Sequence, residues 1–325
     1  MNAIQVFEFG GPEVLVHCTD VPVPQPNDNQ VLIRVKAAGV NPIDTAIRQG
    51  KMYVKELPYI PGKDAAGIIE KVGRNVQSFK EGDHVYTARS MTDSTYAQFM
   101  VAEEKSCWHL PTNYSMADGA AIGIPYFTAY RVLFHKLGAK AGQTILIHGA
   151  SGAVGIAAIQ LAKAHGLTIF GTAGSEKGLE LIKNLGVSQT FNHRQEGYVD
   201  EIKTAASKLE NGIELIFEML ANVNLQTDIE LIAHKGKIGI IGCRDFTQID
   251  PRLMILKEII IMGITGRKST DAEISEAAEV IDKGIKDGWL KPVIYKTFPL
   301  ALASEAHREI IETTSAQGKI VLTVE

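Results

Sequence analysis

Hydrophobic and polar positions alternate in short runs along the first third of the chain, and turn residues separate these runs. Residues 30–37 (QVLIRVKA) place apolar side chains at every second position, which is the pattern of a half-buried strand. Shorter runs of this kind, residues 68–72 and 84–87, flank the tight turn that Lys80–Asp83 predicts. Many short strands punctuated by glycine and proline predict a β-rich, barrel-like domain.

The pattern changes after Pro111, where helical periodicity first appears over residues 116–137 with a break at 123–125. From residue 143 onward, strands and helices alternate, which predicts an α/β domain with a parallel, doubly wound sheet. The predicted strands are residues 144–148, 168–172, 189–192, 215–218, 237–241 and 259–265, and the predicted helices are residues 154–165, 176–185 and 199–209.

The carboxyl-terminal region predicts an amphipathic helix over residues 271–288, followed by the segment 292–298 and by a further helix over 302–313. A final strand is predicted over residues 318–324. Periodicity leaves that strand open to either domain.

Length and composition then limit the classes of protein that fit these elements. A chain of 325 residues exceeds what one hydrophobic core usually holds, so two domains are expected. The net charge of −4 predicts no general nucleic-acid or anionic-membrane surface. Three scattered cysteines indicate a reducing compartment, and the amino-terminal residues lack a signal-peptide pattern. We therefore expect a cytoplasmic protein with no membrane segment.

The clearest chemical signal is a buried strand that runs into a glycine-bearing turn and then into a helix, over Ile145–Gly155. This is the context of a dinucleotide fingerprint, although Ala150 stands where the first glycine of the motif is usual. Gly152 would let the backbone approach a pyrophosphate and Gly155 would let the helix pack on the strand. The predicted contacts of the anion are Ser151, Gly152, Ala153, Val154 and Gly155. The alternative is a turn whose glycines serve packing only.

The end of the second strand of this domain distinguishes the two nicotinamide cofactors. An NAD site usually has an acid there, but this chain has Gly174 and Ser175, followed by Lys177. His193 ends the next strand. A hydroxyl and cations without the acid favour a 2′-phosphate, and hence NADPH, although Glu176 is counter-evidence. Alternatively, Lys177 is a solvated helix residue and His193 a surface imidazole.

Several blocks of the sequence resemble the zinc-free quinone oxidoreductases of the medium-chain dehydrogenase/reductase superfamily, and among these the ζ-crystallins. The blocks span the chain and are Val6–Leu15, Gly39–Pro42, Ala120–Tyr130, His148–Gly155, Glu218–Leu225 and Gly288–Val293. The resemblance implies a GroES-like catalytic domain, residues 1–122 completed by 267–325, and a Rossmann NADPH-binding domain, residues 123–266. It also implies a homodimer or homotetramer and AU-rich RNA as a further partner.

The resemblance also identifies where a metal would be held. Zinc members of the superfamily carry a cysteine and a Gly-His-Glu segment where this chain reads Gly39–Asp44 and Pro61–Asp64. Independently, none of the nine histidines stands in a Cys/His spacing typical of zinc sites. We therefore expect no metal. A quinone is a good electron acceptor, so its reduction by NADPH needs positioning rather than a Lewis acid.

By resemblance, the substrate cleft is lined by Asn41, Ile43, Asp44 and Tyr59, with Tyr126 from the domain junction. Ala46 stands where a tyrosine is usual, which implies a roomier pocket that favours bulky orthoquinones. The alternative reading is a simple turn at Asn41 and a capped loop at 59–62. The resemblance places further cofactor contacts at Asn222, Ile241, Gly242, Cys243 and Arg244.

The sequence leaves alternatives open for the roles of two residues and for the function of the protein. His148 fits a packing histidine better than a catalytic base, and Cys243 is either an inert thiol or a target of quinone adducts. The sequence predicts an NADPH:quinone oxidoreductase. Its alternatives are an NADPH-dependent reductase of α,β-unsaturated carbonyls and a crystallin or RNA-binding role.

Overall fold

A computed structural model describes residues 1–53, 56–88, 93–313 and 315–325. The strands are β1 (Ala3–Val6), β2 (Leu15–Cys18), β3 (Gln30–Val40), β4 (Asp64–Val72), β5 (His84–Thr87), β6 (Phe99–Glu103), β7 (Cys107–His109), β8 (Thr144–Ile147), β9 (Thr168–Ala173), β10 (Gln189–Asn192), β11 (Ile213–Glu218), β12 (Ile232–Ile240), β13 (Ile260–Gly263), β14 (Ile294–Pro299) and β15 (Lys319–Thr323). The α-helices are α1 (Pro42–Arg48), α2 (Met116–Gly119), α3 (Gly123–Tyr130), α4 (Ala153–Ala164), α5 (Glu176–Asn184), α6 (Tyr198–Ala206), α7 (Ala221–Leu231), α8 (Pro251–Lys257), α9 (Asp271–Lys286) and α10 (Ala303–Glu312).

The described residues divide into two compact units. The first contains Met1–Ile124, Pro292–Thr313 and Gly318–Glu325, and the second contains Pro125–Lys291 with a short segment ending at Gln317. The family resemblance implied that residues 267–325 complete the first unit, whereas helix α9 lies in the second. Glu273, in the first turn of α9, accepts hydrogen bonds from Arg131 (2.6 Å) and Lys136 (3.0 Å) of that unit, and the helix also buries Ala277, Ile281 and Ile285.

The first unit is built on a sheet in which seven described strands follow the order β14-β15-β3-β4-β5-β7, with β6 paired to β3. The long strand β3 organises this sheet because it pairs antiparallel with β4, β6 and β15. The partners of β15 settle the question that periodicity left open: Leu322 pairs with Ala38, so the final strand belongs here. The apolar side of the sheet carries Ile33, Val35 and Leu322 into the core.

The second unit contains six described strands in the order β10-β9-β8-β11-β12-β13, all parallel. All four residues of β8 are buried, as expected for a strand covered by helices on both faces. The strand order reverses between β8 and β11, and this reversal is where doubly wound folds bind ligands. The predicted fold class, a β-rich domain with a Rossmann-type domain, is confirmed.

Some local expectations were wrong. The single broken helix predicted over residues 116–137 is instead α2, α3 and a π-helical turn at Arg131–Lys136. Helices α1, α7 and α8 were not predicted. Helix α7 buries Ala221, Leu225 and Ile229 but also Asp228, so a buried acid interrupts its apolar stripe. Across the part of the chain that is described, no helix has the length and apolarity needed to cross a membrane.

Candidate active site

The glycine turn follows β8 and leads into α4 in the second unit. Gly149 has a positive φ of 56°, which favours glycine, and the Gly152 N–H donates to its carbonyl oxygen across 3.0 Å. The Ala150 N–H donates to the carbonyl oxygen of Thr172 on β9 (2.8 Å). Ala150 is fully buried beside β9, so a methyl group is accommodated where the fingerprint usually has glycine. The turn is therefore held rigidly against the sheet.

Glycine suits the two predicted fingerprint positions, 152 and 155, for different physical reasons. A Cβ on Gly155 would lie 2.6 Å from the backbone of Ala150, so Gly155 is needed for helix packing. A Cβ on Gly152 would meet only the Gly149 carbonyl oxygen, at 3.4 Å, which is ordinary contact. Nothing in the described protein therefore requires glycine at 152. The free space is what a pyrophosphate at the start of α4, near the N–H groups of Ala153 and Val154, would need.

The end of β9 is where the sequence predicts the residues that distinguish the cofactors. The Ser175 hydroxyl caps α5 by accepting from the Gly178 N–H (3.2 Å). A Cβ on Gly174 would lie 2.7 Å from His193 Nε2 and 3.0 Å from Arg194 Nε, so both side chains cover this strand end. Lys177 is exposed in the first turn of α5. The structure thus brings His193 to Gly174 and adds a cation there that sequence reasoning missed.

Arg194 could have been found from topology. Strand β10 pairs parallel with β9, so the residues that follow both strands emerge at the same edge of the sheet. Burial, followed by the charges of Arg194 and His148, lowers the pKa of His193. At neutral pH this imidazole is therefore a neutral hydrogen-bonding group beside a permanent guanidinium charge.

The loops after β11 and β12 bring together the remaining predicted cofactor contacts. The Arg244 N–H donates to Asn222 Oδ1 (2.9 Å), and the Ile241 N–H donates to the carbonyl oxygen of Glu218 (2.9 Å). Gly242 is required because a Cβ there would lie 2.1 Å from the Met219 carbonyl oxygen. Exposed Cys243 Sγ contacts the Asp245 carbonyl oxygen at 3.0 Å. The segments that follow β11 and β12 are thus linked at the carboxyl edge of the sheet, with Asn222 in the first turn of α7.

His148 lies in a buried polar cluster beneath the glycine turn. Its Nε2 is 2.8 Å from Asp228 Oδ1 and 3.7 Å from Glu218 Oε2. Burial lowers the pKa of His148, but the charges of Asp228 and Glu218 outweigh burial and raise it overall. Within the described ranges, these three residues are the one group of metal-ligating side chains that lie close together. The direct contact with Asp228 therefore commits His148 Nε2 to a buried hydrogen bond.

In the first unit, the predicted substrate residue Asn41 belongs to a buried charge network. Its Nδ2 donates to Asp64 Oδ2 (3.0 Å), and its Oδ1 accepts from the ammonium group of Lys319. Lys319 also donates to Asp64 Oδ2 (2.9 Å), and the second oxygen of Asp64 accepts from the Ile124 N–H (2.8 Å). The amide of Asn41 therefore orients a buried ion pair and the start of α1.

Asp44 and Tyr59 line one small, open recess in the first unit. The described residues that line it are Asp44, Ile47, Tyr59, Ile60, Pro61, Gly62, Lys63 and Asp93. Asp44 Oδ1 and the Tyr59 hydroxyl are buried and have no hydrogen-bond partner among the described residues. Burial, and then the charge of Asp64, raises the pKa of Asp44 to about 7. Burial likewise raises the pKa of Tyr59 to about 12, so its hydroxyl stays protonated.

The other three predicted substrate residues lie elsewhere. Ile43 and Ala46 are half-buried on α1 and are not part of the described lining of the recess. Tyr126 is buried in the second unit, where its hydroxyl donates to Gln160 Oε1 (2.8 Å). Gln160 in turn donates to the carbonyl oxygen of Lys291 (2.8 Å). The structure brings together Asp44 and Tyr59 and commits the Tyr126 hydroxyl to a hydrogen bond within its own unit.

Sequence reasoning missed three residues that extend from Asp44 into the core. Tyr96, His307 and Arg48 are all fully buried. The Tyr96 hydroxyl lies 3.5 Å from Asp44 Oδ2 and 3.0 Å from His307 Nε2, and His307 Nδ1 lies 3.1 Å from Arg48 Nη1. His307 is on α10, 211 positions from Tyr96, so no local pattern could reveal this chain of contacts.

Comparison with known proteins follows the same two-unit division. The family model for an alcohol dehydrogenase GroES-like domain matches residues 27–130, and that for a zinc-binding dehydrogenase matches residues 153–283. The superposition on the crystal structure of an NAD-dependent alcohol dehydrogenase covers 100% of this chain and 100% of that chain. The two chains are 29% identical, and the TM-score is 0.92. The two domains and the glycine turn thus define a medium-chain dehydrogenase/reductase.

Sequence identity to known proteins identifies the family within this superfamily. The quinone oxidoreductase of Homo sapiens is 48% identical over 99% of this chain and 97% of its own length. The Escherichia coli quinone oxidoreductase complexed with NADPH covers 99% of this chain and 100% of its own, at 28% identity and a TM-score of 0.90. This chain belongs to the quinone oxidoreductase family, as the resemblance of its sequence blocks predicted.

Proposed function

We propose that this protein is an oxidoreductase that uses NADPH to reduce quinones. The observation that carries the proposal is the recess of the first unit, where Asp44 Oδ1 and the Tyr59 hydroxyl are buried without partners. Buried polar atoms without partners are costly, so their presence in a recess indicates a ligand that completes them. A quinone carbonyl oxygen accepts the hydrogen bonds that a tyrosine and a protonated carboxyl donate. The names of the curated relatives support the same substrate class.

The second unit would hold the cofactor. The open space at Gly152 and the N–H groups at the start of α4 suit a pyrophosphate, and the Arg194 guanidinium and neutral His193 imidazole beside Gly174 suit a 2′-phosphate. Arg194, Lys177 and His193 would favour NADPH over NADH because no acid follows β9 directly. NADPH supplies a hydride when bound. We propose that the first unit provides the substrate recess and the second the cofactor groove.

The quinone class is also part of the proposal. Because Ala46 carries no ring, we propose that the enzyme favours bulky polycyclic orthoquinones over small quinones. The α,β-unsaturated carbonyls are the second substrate class, since their reduction needs the same hydride and a proton donor. AU-rich RNA and assembly into a dimer or tetramer remain predictions. Competition between NADPH and an AU-rich RNA tests the former, and sedimentation tests the latter.

The deciding experiment is a steady-state comparison of NADPH and NADH against orthoquinones, paraquinones and enones. We expect the highest kcat/KM for NADPH with a polycyclic orthoquinone. A protein that oxidises NADPH with enones but with no quinone belongs to the alternative reductase class. A protein that oxidises neither cofactor with any acceptor, while folded, contradicts the proposal.

A further inference from the structure

The two oxygens of the Asp44 carboxyl group have opposite surroundings. Oδ2 accepts from the Asn41 N–H (2.9 Å) and faces Asn41 Nδ2 (3.4 Å) and the Tyr96 hydroxyl (3.5 Å). Oδ1 is buried, has no hydrogen-bond partner among the described residues, and belongs to a side chain that lines the recess. Because donors already surround Oδ2, a proton on this carboxyl group is favoured on Oδ1.

The direction of the hydrogen bonds behind Asp44 follows from Arg48. A guanidinium group can only donate, so Nδ1 of His307 accepts from Arg48. Burial and then the charge of Arg48 lower the pKa of His307 to about 3, so the imidazole is neutral and its hydrogen is on Nε2. That N–H donates to the Tyr96 oxygen (3.0 Å), which leaves the Tyr96 hydrogen for Asp44 Oδ2. Tyr96 therefore acts as a donor to the carboxyl group.

Charges from three neighbouring elements act on the same carboxyl group. Burial raises the pKa of Asp44 most, and Asp64 on β4 raises it further. Lys319 on β15, the Asn41 N–H and Lys63 lower it, and the balance gives a pKa of about 7. Tyr59 and Tyr96 face the group as neutral hydroxyls because burial raises the pKa of each. At neutral pH a large fraction of Asp44 therefore carries a proton.

We propose that Asp44 is the proton donor of quinone reduction, and that Tyr96, His307 and Arg48 are positioning residues that keep its proton on Oδ1. The inference rests on the proposed function. The quinone takes up the hydride, which carries two electrons, and one oxygen takes the proton from Oδ1. The O–H bond of Asp44 breaks as the hydroquinone O–H bond forms. Water then returns a proton to the carboxylate, and the net change is quinone, NADPH and a proton to hydroquinone and NADP⁺.

The first test replaces the donor itself. Asp44→Asn keeps the size of the side chain and an amide donor but has no transferable proton. We expect kcat to fall by about 100- to 10,000-fold with a small change in KM, because general acid catalysis contributes that much. The wild-type kcat should decline as pH rises through about 7, since a raised pKa means that the required proton is lost there. This decline should be missing in the variant.

The second test separates positioning from stability. Tyr96→Phe removes a donor to the ionised carboxylate, so the decline in kcat should move to higher pH. His307→Leu should move it in the same direction. His307→Gln is the matched control, since its Oε1 can accept from Arg48 and its Nε2 can donate to Tyr96. We expect the Gln variant to keep the wild-type pH profile. A purely structural role would lower the Tm and leave the position of the decline unchanged.

Carbon-13 NMR of aspartate-labelled wild-type protein provides a readout that does not depend on turnover. The signal that Asp44→Asn removes should titrate near pH 7. An Asp44 signal that titrates near pH 4, or a wild-type decline that persists in Asp44→Asn, overturns this inference while quinone reduction stands. Wild-type protein that reduces no quinone at all overturns the proposed function, and the inference with it.

Discussion

Lys319 on β15 donates a hydrogen bond to Asp64 on β4 across 2.9 Å, and both side chains are buried. Strand β3 lies between these two strands, and Asn41 at its end contacts both members of the pair. A buried ion pair contributes little net stability compared with an apolar pair, but loss of one partner leaves an uncompensated charge. The pair therefore makes the start of α1 depend on the last strand of the chain.

Lys319→Met should lower the free energy of unfolding by about 3–5 kcal/mol, because Asp64 then has no counter-charge in the core. Lys296→Met is the matched control, since Lys296 pairs with Glu309 at an exposed position on β14. That control should cost about 0–1 kcal/mol. Urea unfolding measures both variants, and an equal loss in the two would contradict the account.

The purified protein should hold no stoichiometric zinc, and chelators should leave quinone reduction unchanged. Where zinc relatives place ligands, this chain has Asn41, Lys63 and Asp64, and the Lys319 ammonium contacts two of them. An ammonium charge at that position opposes a second cation. Elemental analysis tests this, and about one tightly held metal per chain that is lost together with activity would refute it.

Gly152→Val should abolish NADPH binding while the protein stays folded, because the added side chain fills space that only a ligand would use. Gly155→Val is the comparison, since its Cβ would lie 2.6 Å from the Ala150 backbone. That variant should lower the Tm as well. Calorimetry of NADPH binding and of unfolding separates the two effects, and wild-type affinity in Gly152→Val would show that this turn is structural only.

Lys177→Glu should raise the KM for NADPH much more than the KM for NADH, because it places a negative charge near the proposed 2′-phosphate site. Lys183→Glu is the control: it makes the same change of charge in the last turn of the same helix. Steady-state kinetics with both cofactors checks this. Equal effects of Lys177→Glu on the two cofactors would remove Lys177 from the site.

Ala46→Tyr should improve kcat/KM for small quinones and reduce it for polycyclic orthoquinones, if the space beside α1 is used by substrate. Ala46 is half-buried and lies outside the described lining of the recess. This variant therefore tests how far the substrate extends along α1. Parallel changes for both substrate classes, or no change, would show that Ala46 does not shape the substrate site.

Much of the second unit followed from local pattern. Strand β8 was expected at residues 144–148 and spans Thr144–Ile147, and the helix expected at 154–165 spans Ala153–Ala164. An apolar run, a glycine turn and a helical period are all encoded within a few neighbouring residues, so they can be read without the fold. The same holds for Gly152, Gly155 and the missing acid after β9.

The polar contacts around Asp44 were decided by tertiary structure. His307 reaches Tyr96 across 211 positions, and Lys319 reaches Asn41 across 278. The sequence by itself located the strands, most helices and the glycine turn of the second unit, because those depend on the order of neighbouring side chains. Only the folded sheet decided which carboxyl is buried, which of its oxygens is left without a partner and which cation faces it, because burial and hydrogen bonding depend on residues far apart in the chain.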